Sequence, residues 1–184
     1  MNYYLLEPDC RIPDICAVGN VPDSVDPLEW MRGKRMASPG PLRLPLSSAS
    51  GELRADLIGT LLTLFSDNLK VAMTSFGIDN VDYFPVELVS PGANETESGY
   101  WLANVIGLIA CVDLTRSVIE PRPSGGKGSL RSFYVDPIPV SGRRIFRLAE
   151  DPTLIVMDED LRTFLRTQNL GGVRMRHTKS YDGY

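Results

Sequence analysis

The sequence predicts an α+β fold with mixed, mostly antiparallel sheets and a few short helices. Three observations lead to this class. Short apolar runs of strand length recur along the chain, two segments carry apolar residues at helical spacing, and a strand-helix-strand pattern occurs twice;. Of the 184 residues, 43% are hydrophobic and 23% are charged, which is typical of a globular protein;. We expect one domain over residues 1–184.

The strands are predicted from apolar runs and from the turn residues that bound them. Pro137 and Pro139 indicate that one of them is an edge strand, because proline cannot donate a hydrogen bond to a neighbouring strand. The segment 54–64 fits either a strand or one face of a helix. The predicted strands cover residues 2–6, 84–89, 117–120, 133–140 and 143–148, with a further edge strand at 42–46.

Residues 100–112 form the longest apolar stretch, and both alternating sets of its side chains are apolar. This pattern predicts a long central strand that is covered on both faces. The stretch is too short for a membrane span, because a helix needs about 20 residues to cross the hydrocarbon layer.

A shift of 92 positions aligns two units, residues 61–89 and 153–178. Each unit has the pattern of a strand, a polar N-cap, a short helix, a glycine-containing turn and a second strand. The pattern is compatible with an internal duplication. The predicted caps are Ser66 and Asp158, and the helical stripes comprise Leu69, Ala72, Met73 and Phe76 in the first unit and Leu161, Phe164 and Leu165 in the second.

The net charge of −4 and the pI of about 5.0 disfavour binding to nucleic acid or to an anionic membrane;. Charge is unevenly distributed, since residues 1–114 hold 7 basic and 15 acidic side chains and residues 115–184 hold 12 and 8. Three cysteines leave at least one unpaired, and the opening residues lack a signal-peptide pattern;. We therefore expect a cytoplasmic protein.

No motif in the sequence predicts a catalytic, cofactor or metal site. His177 is the only histidine, and its polar surroundings near the C-terminus predict a solvated side chain;. Cys10 and Cys16 lack the spacing of structural zinc ligands;. Residues 124–129 contain glycines and a lysine without the spacing of a phosphate-binding loop, so we expect a hairpin loop there;.

Several charged residues lie in predicted loops, where secondary structure does not account for them. Acidic residues flank a tryptophan, and a recognition surface of this kind would take buried area from Trp30 and steering from the carboxylates. A basic hairpin tip offers a contact for an acidic partner. The predicted partner-binding residues are Asp23, Asp26, Glu29, Trp30, Glu95, Glu97, Arg122, Lys127 and Arg131.

The order of segments carries a family resemblance over residues 1–176. It rests on the opening residues 3–6, on the Phe84-Pro85-Val86 strand, and on residues 154–161 followed by 172–175. These features resemble the bacterial immunity protein eleven family, which is associated with polymorphic toxin systems. That family usually has a serine where Asp158 stands, and both residue types cap helices;.

The resemblance implies a cytoplasmic antidote that binds one cognate toxin and blocks its active site or the approach of its substrate. Such a protein needs no cofactor and no catalysis. Two alternatives stay open on the sequence. One is a hydrolase-like enzyme that uses loop carboxylates, and the other is a structural or regulatory module that self-associates, for example as a homodimer through its proline-bearing edge strand.

Overall fold

A computed structural model describes residues 1–23, 25–47, 51–59, 61–90, 95–121 and 128–183. The helices are α1 (Asp67–Ser75), α2 (Pro137–Val140) and α3 (Glu159–Leu165), with 3₁₀ turns at Glu29–Met31 and Thr178–Ser180. The strands are β1 (Tyr3–Pro8), β2 (Leu42–Pro45), β3 (Leu57–Gly59), β4 (Thr63–Ser66), β5 (Val81–Val89), β6 (Thr96–Val105), β7 (Leu108–Ile109), β8 (Ile119–Glu120), β9 (Ser129–Leu130), β10 (Ile145–Leu148), β11 (Ile155–Asp158) and β12 (Val173–His177).

The described residues form two five-stranded sheets and a small hairpin of β8 and β9. Sheet A has the strand order β12-β1-β11-β10-β7, and sheet B has the order β2-β5-β6-β4-β3. Pairing is antiparallel except between β7 and β10 and between β2 and β5. These sheets and short helices confirm the predicted α+β class.

A shared apolar core joins the two sheets through the helices α1 and α3. The outer face of sheet B is covered by the irregular segments 15–23 and 25–36, and the outer face of sheet A is covered by residues 111–112 and 130–140. Both helices therefore bury their apolar stripes against the same core. Its fully buried members include Phe65, Leu69, Met73, Ile145, Met157, Leu161 and Leu165.

Polar side chains begin both of these helices, as the sequence predicts. The Leu69 amide donates to Ser66 Oγ at 3.2 Å, and the Leu161 amide donates to Asp158 Oδ1 at 2.8 Å. Each bond satisfies one of the amides that a helix N-terminus leaves without an internal partner. The apolar stripe then starts within the first turn of each helix.

The two predicted units adopt the same connectivity, β4-α1-β5 and β11-α3-β12. In each unit the two strands flank a third, antiparallel strand, which is β6 in the first unit and β1 in the second. The residues that pair with Trp101 lie 92 positions before the residues that pair with Tyr4, on both neighbouring strands. Tyr4 therefore occupies the place in β1 that Trp101 occupies in β6. Duplication of one ancestral unit stays a prediction. The paired residues are Phe65 and Pro85 beside Trp101, and Met157 and His177 beside Tyr4.

The predicted central strand over 100–112 is wrong, because the chain changes sheets within it. Strand β6 ends at Val105 in sheet B, and β7 begins at Leu108 in sheet A. Gly107 has a φ of +113°, a conformation that favours glycine, and the chain turns between the two sheets there;. Continuous apolarity therefore reflects burial in two sheets rather than one long strand.

The predicted strand over 133–140 is also wrong, because its first half contains only an isolated bridge at Val135 and its second half is helical. Residues 137–140 form the short helix α2, whose N-cap Asp136 accepts from the Ile138 amide at 3.0 Å. Proline suits the first turn of a helix, because the amide that it lacks has no partner there. The ambiguous segment 54–64 contains β3 and the start of β4. The remaining predicted strands are present as β1, β2, β5, β8 and β10, and β2 lies at a sheet edge.

Candidate functional site

A groove crosses sheet B beside the N-terminus of α1. Its volume is about 310 Å³, and it combines an aromatic and aliphatic floor with charged side chains at the rim. Strands β2, β5 and β6 and the start of α1 all contribute to it. The lining residues are Pro41, Leu42, Arg43, Asp67, Pro85, Val86, Glu87, Ser98, Gly99, Tyr100 and Trp101.

A β-bulge shapes this groove. The register of β6 against β5 shifts between Val86 and Leu88. Opposite the shift, Gly99 has a φ of +95°, and a Cβ at this position would lie 3.3 Å from Asp67 Oδ2. Glycine therefore allows the strand to adopt the bulge and to pass close to the start of α1. It also leaves the groove open at this point.

Trp101 forms the aromatic part of the floor and is half-buried. Its Nε1–H donates to Asp67 Oδ1 at 2.6 Å, and Lys70 Nζ lies 2.9 Å from the ring centroid. Partial burial lowers the pKa of Lys70, and the nearby Asp67 carboxylate opposes that shift. The hydrogen bond and the cation–π contact fix the indole in one orientation.

A charged pair lies at the rim. Arg43 Nε is 3.2 Å from Glu87 Oε2, and these side chains are 59% and 54% exposed. Ion pairs with this exposure contribute little to stability, because water screens them. Beside the pair, Pro85 presents an exposed ring where β5 has not yet begun to pair with β2;. Both charged groups can therefore exchange partners at low cost.

The predicted acidic group around Trp30 has structural roles that the sequence did not reveal. Trp30 is only 5% exposed and packs edge-to-face on Phe84, so its indole is part of the core rather than a contact surface. The Asp26 carboxylate accepts from the Leu28 amide at 2.9 Å, and Glu29 pairs with Arg32 at 2.8 Å. The side chain of Asp23 is exposed.

The remaining predicted partner residues also include both exposed and ion-paired side chains. Glu95 is exposed, whereas Glu97 pairs with Arg54 Nε at 2.5 Å. Arg131 pairs with Glu120 at 2.8 Å beside the β8–β9 hairpin. Arg122 and Lys127 lie outside the described residues. Toxin contact through these residues stays a prediction.

A second cavity, of about 580 Å³, lies between the turn after α1 and residues 141–144. Within the described residues that line it, the ionisable groups are Asp79, Arg143 and Arg144. Glycosidase-type hydrolysis uses two opposed carboxyl groups, and this lining supplies one. Arg144 is also engaged with Asp158 at 3.2 Å.

The expected solvation of His177 is wrong. The residue belongs to β12, is half-buried, and packs edge-to-face on Tyr4 with ring centroids 5.0 Å apart. Burial lowers its pKa, and its Nδ1 accepts from the Lys179 amide at 3.1 Å. Burial raises the pKa of the Cys111 thiol to about 12. Among the residues that the structure describes, no cluster of three or more His, Cys, Asp or Glu side chains could hold a metal.

Comparison with known families gives a match that spans almost the whole chain. The model of the immunity protein family Imm11 matches residues 3–180. This chain belongs to the Imm11 family. The match agrees with the family that the sequence resembles. No curated protein matches the chain.

Sequence reasoning missed the groove of this Imm11 protein. Trp101 lies in the apolar stretch that predicted a strand covered on both faces, so its half-buried position could not be read from periodicity. The available signal was Gly99, because a glycine inside a strand pattern indicates a bulge or a close approach of the backbone;. Asp67 and Lys70 follow the predicted cap, but their contact with Trp101 depends on the pairing of β4 with β6.

None of the helices in the described part of this Imm11 chain combines the length and the apolar character that crossing a bilayer requires.

Proposed function

We propose that this Imm11 chain is a cytoplasmic immunity protein that neutralises a cognate toxin by stoichiometric binding, without catalysis of its own. Membership of an immunity protein family, over residues 3–180, carries this proposal. Inhibition by binding requires a rigid surface that excludes the substrate of the toxin, with about 1,200–2,000 Å² buried in the complex. A core that joins two sheets supplies a rigid scaffold for such a surface.

The groove on sheet B is the surface that we propose for toxin binding. Interfaces concentrate their binding energy in a few aromatic and arginine side chains that are surrounded by polar groups. Trp101 is a preoriented aromatic residue at such a place, with Arg43 and Glu87 at the rim. A partner that covers the groove would complete the burial of the indole without reorganising the backbone.

The exposed carboxylates are proposed to steer the toxin. Residues 10–106, which contain sheet B, carry seven basic and twelve acidic side chains, a net charge of −5. Asp23, Asp26 and Glu95 are exposed within this part of the chain. A negative field of this kind accelerates association with a basic surface, and salt screens it.

Co-expression tests the proposal. The toxin encoded next to this gene is expressed in bacteria with and without the chain, and growth is measured. We expect protection, and a one-to-one complex in size-exclusion chromatography with light scattering. If the purified proteins do not associate and the cells are not protected, the proposed function is wrong.

A pair of variants links protection to the groove. Trp101→Ala should weaken toxin binding about tenfold or more, as expected for an interface anchor. Leu114→Ala is the matched control, because Leu114 is a large apolar residue that is 65% exposed and lies outside the groove. Circular dichroism confirms that both variants are folded. Equal affinity of the two variants would exclude the groove as the main contact.

A further inference from the structure

The two units carry the same cation–π contact at equivalent positions. In the first unit Lys70 Nζ lies over Trp101, and in the second unit the Arg162 guanidinium lies 4.4 Å from the centre of the Tyr4 ring. Lys70 and Arg162 are 92 positions apart, and the register places Tyr4 where Trp101 stands. The region beside Tyr4 is therefore an internal counterpart of the groove.

The lining residues confirm this equivalence. Met1, Asn2 and Tyr3 precede Tyr4 as Ser98, Gly99 and Tyr100 precede Trp101. Across the neighbouring strand, the shift of 92 relates three further pairs that line the two sites. These pairs are Pro85 and His177, Val86 and Thr178, and Glu87 and Lys179.

The counterpart site is closed, whereas the groove is open. Tyr4 is 7% exposed and does not line the cavity of about 80 Å³ formed by its neighbours, whereas Trp101 lines the groove of about 310 Å³. Arg116, from a loop outside the repeated elements, lines the small cavity, and its guanidinium lies 4.0 Å from the centre of the Tyr134 ring and 3.8 Å from Asp113. In the groove, Arg43 is the basic lining residue from outside the repeated elements.

Opposite charges stand at the equivalent positions 87 and 179. Lys179 lies 4.5 Å from the Tyr134 ring, and Glu87 stands at the rim of the groove. Beside Glu87 the groove holds a second carboxylate, Asp67, and two cations, Lys70 over the Trp101 ring and Arg43 paired with Glu87. The Arg43–Glu87 pair is exposed on both sides and exchanges easily;. Glu87 can therefore accept a guanidinium or ammonium group of a partner in place of Arg43.

Resting on the proposed function, we infer that a basic side chain from a loop of the cognate toxin enters the groove and lies against Trp101 between Asp67 and Glu87. The net charge of −5 over residues 10–106 favours the same partner;. The toxin then competes with Arg43 for the Glu87 carboxylate.

Charge reversal at the two equivalent positions tests the inference with purified toxin. Glu87→Lys should weaken toxin binding about tenfold or more, with most of the loss at low salt. Lys179→Glu is the matched control, since it reverses charge at the closed site. The affinity of this variant for the toxin should stay within about twofold of the wild-type affinity. Glu87→Gln distinguishes loss of the carboxylate from repulsion and should give an intermediate affinity. Thermal unfolding shows whether each variant is folded.

Tryptophan fluorescence provides a readout that does not depend on affinity. The chain contains two tryptophans, so Trp30→Phe leaves Trp101 as the single reporter and keeps an aromatic ring against Phe84. Acrylamide should quench Trp101 in the free protein and quench it much less in the complex. Unchanged quenching in the complex would overturn the inference.

The outcomes separate this inference from the proposed function. If the wild-type chain does not bind toxin, both are wrong. If the wild type binds and Glu87→Lys binds equally well, the toxin uses another surface and only the inference is wrong. If sedimentation shows a dimer of the free chain that Glu87→Lys dissociates, a second copy occupies the groove, and the inference is again wrong.

Discussion

Replacing Asp158 tests how this chain begins helix α3. The Asp158 carboxylate accepts from the Leu161 amide at 2.8 Å and lies 3.2 Å from Arg144 Nη1, while only 4% of the residue is exposed. Asp158→Ala removes the cap and should cost about 1 kcal/mol of unfolding free energy. Loss of the Arg144 contact adds little, because the Arg144 side chain is 44% exposed;.

Asp158→Ser is the matched control, because Ser66 performs the same role in the first unit. The Leu69 amide donates to Ser66 Oγ at 3.2 Å, so a serine at 158 can keep the cap without the charge. At pH 7 we expect this variant to lie within about 0.5 kcal/mol of the wild type, as is usual between good N-cap residues. Urea unfolding followed by circular dichroism measures both variants.

The contribution of Asp158 to stability should change with pH in a definite direction. Burial raises the pKa of Asp158 above 3.8, while the Leu161 hydrogen bond and Arg144 oppose the shift. From pH 3.8 up to the raised pKa the folded state binds more protons than the unfolded state at this residue, so its contribution to stability falls as pH rises;. The stability of the wild type relative to Asp158→Ser should therefore be greatest below pH 3.8 and decline above it.

Two results would refute this reasoning. If Asp158→Ser loses as much stability as Asp158→Ala, the contribution comes from the carboxylate and not from the cap. If the advantage of the wild type over Asp158→Ser grows as pH rises from 3.8, Arg144 outweighs burial at this residue.

Three further predictions concern buried side chains. Leu161→Ala should cost about 2–5 kcal/mol of unfolding free energy, because Leu161 is fully buried in the shared core, and a smaller loss in urea unfolding would contradict that packing;. Tyr83→Phe should leave the melting temperature unchanged or raise it, because the buried Tyr83 hydroxyl has no hydrogen-bond partner among the described residues;. A clear decrease in the melting temperature would show that the hydroxyl has a hydrogen-bond partner. His177→Gln should reduce the loss of stability as pH falls below 6.5, since burial lowers the pKa of His177 and the folded state then binds fewer protons than the unfolded state;. Chemical unfolding at pH 5 and pH 7.5 measures this difference, and an unchanged pH dependence would contradict it.

The sequence predicted the repeated elements because their signals are local. Side-chain periodicity and capping residues act within one turn or one strand, and Ser66 and Asp158 lie where these signals place them. The chain reversal at Gly107 was missed, because apolar residues are equally suited to one long strand or to two strands in different sheets. Pro137 suited an edge strand and a helix start equally well, and only the Asp136 cap distinguishes them.

The candidate site was harder to predict because it depends on contacts between distant segments. Trp30 and Trp101 both stand near acidic residues in the sequence, yet one is core and the other lines a groove. The difference arises from the segments 15–23 and 25–36, which cover the outer face of sheet B, and from the bulge at Gly99, which exposes part of the inner face. Neither feature leaves a periodic pattern in the sequence.

The junctions within the two units show where otherwise similar elements differ. The Ser66 amide donates to the Asp56 carbonyl, and the Asp158 amide donates to the Arg144 carbonyl, both at 2.9 Å, so Asp56 and Arg144 occupy equivalent positions. Asp56 Oδ2 accepts from the Gly171 amide at 2.7 Å and holds one junction closed. At the other junction the Arg144 side chain forms an ion pair with Asp158, and a cavity of about 580 Å³ lies beside it.

The groove and the site at Tyr4 differ in the same way. Conserving the core pattern in both units keeps the scaffold rigid, because Leu69 and Leu161 are both fully buried in one core. Rim residues such as Glu87 and Lys179 contribute little to that core and can change with small effects on stability. The groove can therefore vary while the closed site and the shared core preserve the fold.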